Sequence, residues 1–133
     1  MFHPLVVFDA VSGQLVTALL RPGRAHAAKG SISILTRLIH AIRARCPNSA
    51  IVVRGDSAFA MPNLLARLEH LNATLGDVDY VIGLAKNSRL LDQAAPLRSS
   101  AAEQFADGAP LVRRFTWLAY ASNSWPAERH VVA

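Results

Sequence analysis

Cysteine is all but missing: Cys46 is the one thiol in 133 residues, so no disulfide can close within the chain. Neither it nor the five histidines, His3, His26, His40, His70 and His130, stand at the spacing of a zinc site. Long hydrophobic runs are missing too. No stretch reaches the ~18 to 20 apolar residues of a membrane span, and Met1 to Ala10 lacks a basic region ahead of a long apolar one. Membrane-spanning and secreted readings are thereby disfavoured, and the cytoplasm is the expected location. There is no glycine-rich phosphate loop, nucleophile elbow or Cys-His pair. Acidic residues are scarce in the first part of the chain, where Asp9 is the only one up to Arg54 against seven Arg and Lys.

Hydrophobic residues, by contrast, make up 52% of the chain, and the mean hydropathy is +0.25. Such a composition excludes an intrinsically disordered tail, and the length fits one domain. The net charge is +5 and lies entirely in the first part, because the residues after Arg54 hold seven bases against eight acids. Two readings of this asymmetry stand side by side. One is a phosphate-bearing partner, bound with release of counterions. The other is a solvated arginine surface, in keeping with twelve Arg against two Lys.

Residues 3–8 and 14–20 are short, β-branched and apolar on both alternating sets, which predicts a hairpin of strands covered on both faces. Asp9 and Gly13 supply its turn chemistry. From Ser31 to Arg45 the positions Leu35, Leu38, Ile39, Ile42 and Cys46 form one helical stripe. Arg37, His40, Arg43 and Arg45 lie off it as a basic outer side, with Ser31 or Ser33 as cap and Pro47 as stop. A buried strand over residues 50–53 then runs into Arg54-Gly55-Asp56-Ser57. Pro62 opens a second helix with Leu64, Leu65, Leu68 and Leu71 on one side, ending near Asn72. A further strand follows at 79–84, then a helical stretch from Arg89 that Pro96 interrupts or restarts. Strands within 111–121 and at 129–132 close the chain, with Trp117, Tyr120 and Trp125 read as core or turn packing. The sum is an α/β domain with a mixed sheet.

Asp56 is the candidate for chemistry, since it follows a buried strand and a glycine, where α/β folds gather their polar groups. A carboxylate there can hold Mg²⁺, yet two-metal phosphodiester chemistry needs several convergent acids. On local pattern alone Asp56 reads as a turn or cap residue, and so does Asp9.

Four stretches taken together change that balance. Phe2-His3-Pro4-Leu5-Val6-Val7-Phe8-Asp9 with Gly13-Gln14-Leu15, Leu20-Arg21-Pro22-Gly23-Arg24-Ala25-His26, Arg54-Gly55-Asp56-Ser57-Ala58-Phe59, and Asp79 to Asn87 resemble the DDE-domain transposases of bacterial insertion sequences, group one. The resemblance covers essentially the whole chain in order, with Arg-Gly-Asp-Ser-Ala-Phe standing where that group has Arg-Ala-Asp-Ser-Gly-Phe.

This resemblance implies an RNase H-like mixed sheet with flanking helices, a bacterial cytoplasmic setting, and three acids holding two Mg²⁺ or Mn²⁺ ions for cleavage and strand transfer of DNA. Asp56 matches the second acid and becomes the expected catalytic metal ligand. Lys86 and Asn87 match a stretch on the active-site side where DNA contact is plausible. Arg24 and Lys29, in the loop before the basic helix, are our own candidates for phosphate contact. In the family the first acid lies on a strand ahead of the His-Pro-Leu region, and the last, a Glu, well past the segment matching Arg129 to Val132. The expectation is therefore a domain truncated at both ends, without its first, central strand and its C-terminal helix.

Such a chain should be inactive alone and bind metal weakly. Missing transposase segments or another copy of the chain would be its partners. Two inner strand edges, one on the hairpin and one on the strand ending at Asp56, should lie unpaired. The alternatives are a non-catalytic basic nucleic-acid-binding or regulatory module, and an inert remnant.

Overall fold

In the computed structural model, which describes residues 1–133, the chain divides into two units, Met1–Leu84 and Ala85–Ala133. The first begins with an antiparallel hairpin of β1 (Leu5–Phe8) and β2 (Leu15–Leu19), whose register shifts between Val7 and Phe8. Its turn is built as the sequence implies. The Asp9 carboxylate accepts hydrogen bonds from the amides of Val11 and Ser12 and from the Ser12 hydroxyl, while Gly13 takes φ 71°. These bonds favour the charged form, led by the Ser12 hydroxyl, and hold the Asp9 carboxyl below its ordinary value of 3.8.

Helix α1 spans Ser31–Arg45, as its period predicts, but its cap differs from expectation. Gly30 at φ 87° occupies the capping position and no side chain caps the helix. Ser31 is instead buried, and its hydroxyl donates to the Ala28 carbonyl. Arg43 likewise leaves the predicted basic outer side. Its guanidinium donates to the carbonyls of Pro47, Ser49 and Gly76, pinning the helix end to the turn before the fourth strand.

Strand β3 (Ile51–Gly55), helix α2 (Pro62–Leu75) and strand β4 (Val78–Ile82) complete this unit, with β3 and β4 paired in parallel. Leu64, Leu65, Leu68 and Leu71 are all buried, as their spacing requires. With Ile39 of α1 and Val78 of β4, Leu64, Leu68 and Leu71 form the core, against which Ile51, Val53, Phe59 and Tyr80 pack. Alternation along β3 turns Ile51 and Val53 inward and leaves Val52 and Arg54 exposed.

In the second unit, helix α3 (Ser88–Gln93) ends where α4 (Ala95–Ala106) begins, with Pro96 in the first turn, so the proline restarts the helix. Strands β5 (Trp117–Tyr120) and β6 (Arg129–Val132) pair antiparallel. Trp117 is not core: it is 73% exposed, whereas Tyr120 is buried.

The α/β class holds, and the single mixed sheet does not. The strands form three separate two-stranded sheets, β1-β2, β3-β4 and β5-β6. The hairpin also departs from the prediction that both faces are covered, for Val6, Phe8, Leu15 and Val16 are exposed. Its apolar pattern suits a strand inside a sheet, but β1 has only β2 as a ladder neighbour.

Candidate functional site

Asp56 leaves the C-terminal end of β3, the end of a parallel pair where loops diverge and polar groups gather. Its backbone is extended and it caps a single 3-10 turn, Ser57–Phe59, with Oδ1 accepting from the Ala58 amide at 2.9 Å. The cap reading is thus correct as local geometry. The side chain is exposed and one carboxylate oxygen is committed to the turn, so the group is anchored while it faces solvent. Two glycines shape its seat. The Gly83 amide donates to the Gly55 carbonyl at 3.0 Å, carrying the β3-β4 ladder one step past Ile82. A Cβ on Gly55 would stand 3.1 Å from Ile82 Cδ1 and 3.2 Å from the Phe59 ring.

Beside this strand lies an open cleft of about 790 Å³. One wall is residues 5–11 and the other residues 49–54, every position in turn. Successive side chains of a strand point to opposite faces, so an unbroken run of lining residues marks a strand's edge. Leu35, Leu38 and Ile42 of α1 form part of the floor. Since β1 pairs only with β2 and β3 only with β4, both edges facing the cleft keep unpaired ladder groups.

The remaining predicted residues divide between the units. Arg24 and Lys29 are exposed on the loop between β2 and α1. Lys86 and Asn87 belong to the second unit. Lys86 is exposed, but the Asn87 side chain is engaged. Its Oδ1 accepts from the Leu90 amide to cap α3, and its Nδ2 donates to the Tyr120 hydroxyl at 3.0 Å. Asn87 is a structural anchor in this unit.

Arg21, which in the sequence reads only as part of a strand break, is a buried anchor. It is 5% exposed, and its guanidinium donates to the carbonyls of His3, His26, Ala27 and Lys29 at 2.7 to 3.1 Å. The fixed fork of an arginine suits several carbonyls at once, and here it holds the loop that presents Arg24 and Lys29. The one signal in the sequence is an arginine closing an apolar strand directly before Pro22-Gly23.

The chain's own residues do not assemble a metal centre, because nowhere do three His, Cys, Asp or Glu side chains converge. Asp56 therefore fits as one ligand of a divalent cation and not as a complete site. No helix is long and apolar enough to cross a membrane.

Comparison with known proteins returns no match among curated proteins and none among solved structures. The family model of the transposase DDE domain, group 1, matches residues 1–133. Matched over its whole length, the chain belongs to the group 1 transposase DDE domain family.

Proposed function

We propose that these 133 residues serve DNA transposition as part of a catalytic domain, with Asp56 the second of three metal-binding acids and the other two supplied by segments outside this stretch. The family acts on DNA and generally uses divalent metal. Mg²⁺ or Mn²⁺ suits an oxygen donor of this kind. The observation that carries the reading is the cleft beside β3, the strand that leads into Asp56. Two unpaired strand edges face one gap over the apolar stripe of α1, and an extended segment is the element able to hydrogen-bond both edges together. Inserted there, it would join β2-β1 and β3-β4 into one RNase H-like sheet. An acid on that segment would come beside the strand that ends at Asp56.

The test supplies the chain with ten-residue peptides copied from the strand that bears the first acid in other group 1 members. Backbone amide exchange is followed on Leu5–Phe8 and Ile51–Gly55. Strand insertion slows exchange on both strands together. Unchanged exchange on either strand contradicts it.

A further inference from the structure

One face of the β5-β6 ribbon holds aromatic rings that its own unit does not cover. Trp117 is 73% exposed and Phe115 74%. Val132, also exposed, stands opposite Trp117 in the ladder, and His130 stands opposite Ala119 and meets the Trp117 ring edge-on, with centroids 6.4 Å apart. Strand alternation sends Tyr120 to the other side, where it packs edge-on against Trp125 at 5.6 Å beneath the Arg89 guanidinium. The unit's aromatic packing is thus used on one face, and the Trp117 ring on the other remains open, with exposed Phe115 just ahead of the strand.

Thr116 and Ala133 exchange backbone hydrogen bonds of 3.1 Å each, which extends the ladder one pair beyond β5. Phe115 lies just outside this ladder, two residues from Trp117; an extended backbone there would set the two ~6.6 Å apart, close to twice the ~3.4 Å rise per base of a nucleic-acid strand. Arg113 and Arg114 immediately precede these rings and are exposed, and no acidic residue occurs between Asp107 and Glu128.

The geometry points to a stacking platform for single-stranded DNA on this face, with Phe115 and Trp117 taking base faces and Arg113 and Arg114 taking phosphates. The choice of DNA rests on the transposition reading above, while the platform is independent of the metal site. A second copy of the chain is the poorer occupant, because two unopposed arginines beside the rings would meet their own like charges.

Fluorescence anisotropy of fluorescein-labelled (dT)12, titrated with the 133-residue chain in EDTA, tests the assignment. Trp117→Ala and Phe115→Ala should each weaken binding at least about fivefold, and Trp117→Tyr should restore it. Replacing Arg113 by Ala should lower the slope of log affinity against log salt by about one. If Trp117→Ala loses its far-UV circular dichroism, Phe115→Ala, outside the ladder, decides alone. Because the titration is run in EDTA, it reads the platform without metal, so failure of the platform and failure of the metal reading, which Mn²⁺ binding tests, are told apart. Wild-type affinity in folded Phe115→Ala and Trp117→Ala overturns the assignment. So does a change of oligomeric state in Trp117→Ala with (dT)12 binding intact, which would make the face a contact between copies.

Discussion

The backbone of Gly83 lies against Asp56 so closely that a methyl group on it would sit 3.3 Å from the Ser57 amide nitrogen and 3.5 Å from the Asp56 carbonyl carbon. Both neighbours are backbone atoms, which cannot swing aside as a flexible side chain does. The turn must then give by a few tenths of an ångström, so Gly83→Ala should cost about 1 kcal/mol, the low end of overpacking, and displace the turn that anchors the carboxylate. Urea unfolding measures the first effect and the Ala58 amide resonance the second. An unshifted Ala58 resonance would show that the turn yields without moving Asp56.

Arg21 should matter more to stability than any surface arginine. Its loss removes hydrogen bonds to four carbonyls, of which that of His26 keeps the Lys29 amide as a partner, and hydrogen bonds from a charged donor contribute ~1.5–3 kcal/mol each. Arg21→Ala is expected to lower unfolding free energy by at least about 3 kcal/mol. Arg21→Lys should recover little, since an ammonium on a flexible stem does not reproduce the planar fork. Urea denaturation of both variants decides this, with near-complete rescue by lysine as the contrary result.

Asp9 gives a pH dependence of known sign. Its folded carboxyl titrates below the ordinary 3.8 because the Ser12 hydroxyl and the Val11 and Ser12 amides favour the anion. A depressed carboxyl contributes stability above the unfolded value, and that contribution fades as the pH falls through the lower folded value. The carboxyl carbon resonance of Asp9 should have its midpoint below 3.8, and Ser12→Ala should move it back toward that value. A midpoint insensitive to Ser12→Ala would remove the hydroxyl as the leading cause.

Elements that depend on local pattern were legible in the sequence. Helix α1 has the bounds its period gives, the four buried leucines of α2 fall where spacing puts them, and Pro96 restarts a helix. What escaped depends on partners distant along the chain. Arg43 reads as surface, yet its guanidinium reaches the Gly76 carbonyl, 33 residues on, which only the fold brings near; Ser31, by contrast, is a local miss, its hydroxyl turning back to Ala28 where the pattern suggests a cap. An alternating apolar strand cannot state which strand will lie beside it, so one sheet was expected where three pairs occur. For the site, the pattern located Asp56 at a strand end and its role as a cap. The metal-ligand role proposed for Asp56 rests on the family resemblance, because no group of three His, Cys, Asp or Glu side chains forms around it.

The central claim is that Asp56 is one ligand of a shared metal site, and Mn²⁺ binding tests it most directly. The affinity is measured by electron paramagnetic resonance for the chain with the first-acid peptide bound, for Asp56→Asn, for a peptide whose acid is replaced by its amide, and for both changes together. The account predicts that each single change weakens Mn²⁺ binding at least about tenfold and that the two effects are strongly non-additive, as for groups that share one ion. Affinity unaltered by Asp56→Asn would contradict it.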